Sequence, residues 1–270
     1  MAAIADNSFG QLLKQWRSQR NFSQLDLSIT SNVSQRHISF LESGRANPSR
    51  DMVLTLAAVL DIPLRQQNQM LTAAGFSPLY SEFDLNDPEV APIRRALEFT
   101  LRQQEPYPAL VMDRYWNQIV MNKGAERLIG WLTDEKELPA EIGPNLIKLM
   151  LHPQGIKEHV ENWEIVASHL IHRVRRETQP EGEQQSQSLF NSLLAYPEIE
   201  NLLRSPVKEN WQLPLLNTIF SKTHQRLSFF TTLTTLGTPY DITLQELRLE
   251  CLFPADKITE EVFQALFVRG

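Results

Sequence analysis

Cysteine is nearly missing: Cys251 stands alone among 270 residues. A lone cysteine excludes an internal disulfide and fits a reducing compartment. Within the apolar run LRLECLFP it reads as a small buried hydrophobe rather than a catalytic thiol. No apolar run approaches the ~20 residues that a membrane helix needs. The opening MAAIADNSFG has no basic region ahead of an apolar stretch, so no secretion signal is expected and a cytoplasmic location is. The phosphate-binding pattern GxxxxGK[ST], the nucleophile elbow GxSxG and the dinucleotide pattern GxGxxG are all absent. No nucleophile–base pair is indicated, so the expectation is a protein that is not an enzyme. His169 and His172 share a helix face with His159 and Glu164 nearby, but a zinc site needs a clearer ligand set. Neither metal nor cofactor is expected. There is no internal repeat, and EGEQQSQ is the one short stretch of low complexity.

Positive charge is also scarce, and its placement matters more than its total. The net charge is -6, with 26 basic and 32 acidic residues. Residues 1–75 carry 7 of the basic and 5 of the acidic ones, so the acidic excess lies entirely beyond them. A nucleic-acid-binding module can therefore sit on an acidic body. What the chain does have is core material, 42% hydrophobic residues, and length enough for two modest domains.

Helical spacing dominates the first 75 residues. Phe9, Leu12, Leu13 and Trp16 form one stripe behind Ser8, a plausible N-cap. Ser23 with Asp26 three residues later is a weak capping box for a second helix. Leu25, Ser28 and Ile29 are expected to face inward there. Asn32 tolerates the left-handed backbone that a tight turn needs. Ser34 caps a third helix, Gln35 to Glu42, stopped by Gly44. Ser49 caps a fourth, and LRQQNQMLTAAGF reads as a fifth. The pair from Ser23 to Glu42 has the proportions of a helix-turn-helix.

The string VSQRHISFLESGRANPS, with Phe22 and Gln24 ahead of it, resembles the DNA-binding domain of the XRE and phage-repressor regulators. Asn32 stands where that family usually has Gly, and Ser28 where it usually has Ala. Both keep the physical demand, a permissive backbone and a small side chain. The resemblance implies that the third helix enters the major groove. Gln35, Arg36 and His37 then reach base edges, with Ser39 one turn on; Arg suits guanine and Gln suits adenine. Gln24 and Ser34, at helix starts, would meet phosphate or base edges. Arg45 and Arg50 would contact phosphates, which fix position rather than sequence. Ile38 and Leu41 are core. The plain alternative is a five-helix bundle that binds another protein.

Prolines 78, 88, 92, 106 and 108 mark a linker, read as a loop and then a helix from about Pro88 to Gln104 with Ile93, Leu97 and Leu101 on one face. Beyond it, ALVMD and NQIVMN are strand-like. KGAERLIGWL is helical, and a long helix is expected from about Lys157 to Glu177. PEGEQQSQ leads into SLFNSLLAYPEIENLLR. LPLLNTIF, LSFFTTLTTLG and LQELRLECLFP give three strands. DKITEEVFQALF is a closing helix with Thr259 as cap. The class is α+β: a helical domain, 1–76, a linker helix, 77–105, and an antiparallel-sheet domain, 106–270.

That second domain resembles a PAS-like sensor fold with inserted helices. EPYPALVMDRYWNQIVMN, LHPQGIKEHVENW, HRVRRE and LSFFTTLTTLGTPYDITLQELRLECLFPAD are similar to the C-terminal domain of MmyB-like regulators. The resemblance implies a ligand sensor, with a fatty acid as the ligand class. Such a ligand asks for a long apolar cleft with one cationic or hydrogen-bonding end. Wall candidates are Leu110, Met112, Trp116, Trp163, Phe229 and Phe230. Head-group candidates are Arg114, His169, Arg173 and Arg176. Phe229 and Phe230 alternate on their strand and cannot both line one pocket. The whole reads as a ligand-responsive regulator of transcription, a homodimer on double-stranded DNA. The alternative gives the C-terminal half a partner protein instead of a small molecule.

Overall fold

The computed structural model describes residues 8–134, 136–178, 184–204, 215–237 and 239–267. They form two compact units. One is Met1–Asp84 with Gly237–Gln245; the other is Leu85–Leu236 with Glu246–Gly270. The first unit thus runs past residue 76 and takes in a segment from late in the chain.

Five consecutive helices open the first unit: α1 Phe9–Gln19, α2 Gln24–Ser31, α3 Gln35–Glu42, α4 Arg50–Val59 and α5 Leu64–Ala73. Four of them start on a serine whose hydroxyl accepts a backbone N–H, at Ser8, Ser23, Ser34 and Ser49. Ser23 and Asp26 complete a reciprocal box, Asp26 accepting from Ser23 N–H at 2.8 Å. This bonding holds the Asp26 carboxyl below its usual range. Asn32 takes the left-handed turn at φ 56°. Leu13, Leu27, Ile38, Leu41, Leu56 and Met70 meet in one buried core. Gly10 is required where α1 crosses α3: a Cβ there would lie 2.4 Å from Leu41 O.

The inward face of α2 differs from expectation. Leu25 and Ile29 are 52% and 72% exposed, while Leu27 and Ser31 are buried. Both pairs are spaced i, i+4, and apolar content favours Leu25 with Ile29; the core instead takes Leu27 with the small Ser31. The chosen rotation buries Leu27, and Ser31 returns its hydroxyl to Leu27 O. The segment from residue 237 joins this unit through α12, Ile242–Glu246. Asp241 accepts from Phe83 N–H at 3.2 Å, Ile242 N–H donates to Ser81 O, and Gln245 Oε1 accepts from Leu64 N–H at 2.8 Å.

The second unit begins with a short 3-10 turn, Pro88–Val90, and α6, Ala91–Gln103. Its sheet has five antiparallel strands: β1 Ala109–Met112, β2 Gln118–Met121, β3 Asn217–Lys222, β4 Gln225–Thr234 and β5 Arg248–Pro254. Their spatial order is β2-β1-β5-β4-β3. The helices α7 Lys123–Thr133, α8 Leu146–Leu151, α9 Trp163–Thr178, α10 Gln184–Leu194 and α11 Ile199–Arg204 come between β2 and β3, and α13, Lys257–Phe267, closes the unit. In register, Leu110 faces Glu250, Thr231 faces Leu252 and Thr218 faces Phe229, so these share one side of the sheet. Phe230 stacks on Phe253 on the other side, with centroids 5.4 Å apart.

Three expectations need correction. The long helix begins at Trp163, not near Lys157, because Val160 leaves the 3-10 turn Lys157–His159 to bridge Phe220. Part of LQELRLECLFP is α12 rather than strand. Thr259 does not cap α13: Asp256 accepts from Thr259 N–H at 2.7 Å, and the buried Thr259 hydroxyl accepts from Ser228 N–H. Pro180 to Glu183 of PEGEQQSQ, and Leu213 and Pro214 of LPLLNTIF, lie outside the described residues.

Candidate functional site

Two places on the molecule have the chemistry of recognition, one in each unit. In the first unit the face of α3 divides cleanly. Ile38 and Leu41 are buried, 0% and 1% exposed, while Gln35 and Arg36 are exposed and His37 and Ser39 half-buried. Ser34 Oγ accepts from His37 N–H at 3.2 Å, which fixes the start of the helix. The Arg36 guanidinium lies over the Phe40 ring one turn on, 5.3 Å from its centroid, while the residue as a whole stays exposed. Arg45 and Arg50 are exposed beyond Gly44 and at the start of α4. Gln24 is half-buried and already committed in part: its Nε2 donates to Glu42 Oε2 at 2.8 Å.

Sequence reading missed Glu42. Its side chain is 5% exposed and pairs with Arg17, 12% exposed, through bonds of 2.6 and 3.1 Å. Arg17 also donates to Phe22 O at 2.7 Å. One carboxylate therefore ties α1, the start of α2 and the end of α3 together. The signal was a Glu at the last position of a helix whose neighbour Leu41 is core.

In the second unit a cavity of about 300 Å³ opens beneath the sheet. Leu110 of β1, Thr218 and Phe220 of β3, Thr231 of β4, and Glu250 and Leu252 of β5 form one wall. Leu128, Leu132, Ile147, Met150, Val166, His169 and Leu170 of α7, α8 and α9 form the others, with Trp116 from the β1–β2 connection. The lining is apolar apart from a few side chains, as ligand cavities are. A larger cleft of about 470 Å³, lined by Asp134, Lys136, Glu137, Glu158 and His159 among others, has no comparable apolar wall.

The residues expected to bind a ligand divide. Leu110, Trp116 and His169 line the cavity. Met112, Trp163 and Phe229 are buried in the surrounding core rather than in the lining. Trp163 donates its indole N–H to Met150 O at 2.9 Å. Arg114 pairs with Glu246 at 2.7 Å, and Arg176 is exposed. Arg173 joins a cluster around Trp116. Its Nε donates to Glu177 Oε1 at 2.8 Å, and Arg248 and the Trp116 indole donate to Oε2 at 2.8 and 3.2 Å. Both guanidinium groups lie over the Trp116 ring, at 4.7 and 5.3 Å. Trp116 itself sits at φ 66°, a strained backbone for a bulky residue. Asp113 holds that turn, accepting from Tyr115 N–H and Asn117 N–H.

Glu250 was not foreseen. Burial pushes its carboxyl up to about 7, and the nearby Arg173 charge pulls it back down. The neighbouring Cys251 thiol is likewise raised, by burial and by Glu250. The sequence signal was the alternation Arg248, Glu250, Leu252 in an otherwise apolar strand. Among the described residues no group of three or more His, Cys, Asp and Glu gathers as a metal site, and no helix is long and apolar enough to cross a membrane.

Comparison with known proteins gives two family matches. Residues 93–266 match the MmyB-like transcription regulator ligand binding domain, and residues 13–67 match a helix-turn-helix family. No curated protein matches the chain. Among solved structures, one similar chain is described as the structure of an RNA-binding light-oxygen-voltage receptor. It is 14% identical, with a TM-score of 0.25 over all of this chain, which spans 63% of that chain's length. So slight a likeness carries no argument.

Proposed function

Because this chain belongs to the MmyB-like transcription regulators, with a helix-turn-helix ahead of their ligand-binding domain, we propose that the α3 face reads operator bases and that the 300 Å³ cavity holds the signal. The chain is a DNA-binding regulator with a ligand-sensing domain. The observation that carries the finer reading is the division of α3: Ile38 and Leu41 are buried, and Gln35 and Arg36 stand exposed at its capped start. Gln35, Arg36, His37 and Ser39 are the base-reading set; Ser34, Arg45 and Arg50 hold phosphates. Gln24 joins them through its second amide N–H while the first stays on Glu42.

The ligand is a small apolar molecule, and a fatty acid suits the apolar walls. Helices set between the β1–β2 hairpin and the closing strands support a PAS-like description of the domain. A dimer presents two α3 helices about 34 Å apart, on a near-palindromic site. Occupancy changes DNA affinity if the ligand prefers one arrangement of the protein over another. The chain supports such a link: β4 and β5, which carry Thr231 and Glu250, are joined by residues that belong to the first unit. A cytoplasmic location fits this work.

Exposed Phe99 on α6 and Ile258 on α13, 57% and 70%, favour a second reading in which the C-terminal half binds a protein. Native mass spectrometry of the purified chain separates the two. A co-purified apolar small molecule supports the sensor, and a stoichiometric protein supports the alternative. Melting with a fatty-acid series asks the same question by linkage, since a ligand of the native state raises Tm.

A further inference from the structure

The cavity wall carries a carboxyl group where an acid-binding site would need a cation. Among the described residues, the ionisable side chains that line it are Glu250 and His169. Arg173 and Arg248 each already donate to Glu177, and Arg114 to Glu246. Glu250 sits deep in the protein yet keeps part of its surface open, and it is the cavity that this surface meets. On the two strands beside it, Leu110 and Leu233 lie opposite and offer no partner for its charge. Two carboxylates brought together in such a place cannot both stay ionised.

We propose that Glu250 reads the head group of the cavity's ligand through a shared proton. The cavity then takes an apolar molecule whose polar end carries a hydrogen-bond donor. It takes a fatty acid only with one proton held between the two carboxyl groups. This rests on the reading of the cavity as the ligand site.

The charged groups around Glu250 set the pH window. Arg248 and Cys251 accompany it on β5, and α9 brings His169, Arg173 and Glu177. β1 and β2 carry no titratable residue, Arg226 of β4 donates to Glu161, and Lys222 of β3 to Asp134. Lys123, Glu126 and Arg127 of α7 are exposed, and Lys148 of α8 reaches Glu141 O. The Glu250 carboxyl titrates at about 7. A fatty acid arrives ionised on both sides of that pH. Below it, Glu250 supplies the shared proton and affinity is level. Above it, solvent must supply the proton, and affinity falls about tenfold per pH unit. A primary amine of the same chain length shows the opposite limb: it displaces the Glu250 proton, so its affinity climbs about tenfold per unit up to the same pH and then levels. An alcohol brings its own proton and shows no slope.

The test is titration of the full chain with dodecanoic acid, dodecylamine and 1-dodecanol between about pH 6 and about pH 9, followed by tryptophan fluorescence. The same series is run on Glu250→Gln, whose fold is checked by circular dichroism. The amide donates a hydrogen bond at every pH. The variant is therefore expected to bind the acid without slope and, at about pH 8, about tenfold more tightly than the natural chain. A merely structural glutamate would not give that gain. An acid slope that survives in Glu250→Gln would belong to another group and overturn the proposal, as would level binding of the acid by the natural chain. If none of the three probes bound at any pH, the ligand reading of the cavity would fall, and the proposal with it.

Discussion

The helices of the first unit start and stop on partners close in sequence, whereas the cavity of the second unit is assembled from partners far apart. Serine caps at Ser8, Ser23, Ser34 and Ser49 each bind an N–H three residues on, and the turns at Asn32 and Gly44 are local. In the second unit Leu110 pairs across the sheet with Glu250, and Trp116 with Glu177 on α9. The recognition surface differs accordingly. One unit offers polar side chains outward on a small capped helix. The other unit has an inward cavity, the proposed ligand site, whose strand-borne Glu250 carboxyl is costly to ionise. A site made from local rules can be read along the chain; a site made from sheet register cannot.

The comparison is sharpened most by Glu42→Ala. Removing Glu42 leaves the nearly buried Arg17 without its carboxylate and should cost the first unit about 3 to 5 kcal/mol. Amide hydrogen exchange should show loss of protection in α1 to α3 with the sheet of the second unit unchanged. Loss of protection in both alike would mean the units do not fail separately.

A similar effect, confined to the second unit, is expected from pH. The Glu250 carboxyl is raised from the usual value of 4.5 to about 7. The native state thus favours its proton. Stability is full below the unfolded value and declines as pH rises from about 4.5 to about 7, by about 3 kcal/mol in all. Urea unfolding followed at the sheet should show that decline, and Glu250→Gln should remove it. A flat profile for the natural chain would place the carboxyl in contact with water.

Next in size is the split between base and phosphate contacts. Arg36→Ala should cost about 1 to 3 kcal/mol on the preferred site and relax choice at one base pair. Arg45→Ala should weaken all sequences alike and lower the salt slope by about one. Equal effects of the two would erase the distinction between reading and positioning. The smallest expected change is at the turn. Asn32 sits at φ 56°, so Asn32→Ala should cost about 1 kcal/mol and Asn32→Gly little, both read from melting.

The legible parts followed from the same contrast. Five helices, their caps and the exposed start of α3 could be read from the chain because each signal lay within a few residues. α2 was rotated wrongly, since the apolar pair Leu25/Ile29 gave the stronger signal while the core took Leu27 and the small Ser31. In the second unit the order of strands and helices was legible, and Leu110, Trp116 and His169 do reach the cavity. The arginines expected as head-group partners were read without their carboxylates: Glu177 and Glu246 occupy Arg173 and Arg114 from 4 and 132 residues away. Glu250 went unseen because a lone acid in a strand takes its meaning from what register sets around it.

The account stands most directly on selection from a random duplex library by the full-length chain and by Arg36→Ala. The natural chain should enrich a near-palindrome with half-sites about 10 bp apart, and the variant should lose preference at one matching position in each half. Enrichment of no sequence by the natural chain, or the same sequence at the same strength by both, would contradict the placing of α3 in the major groove.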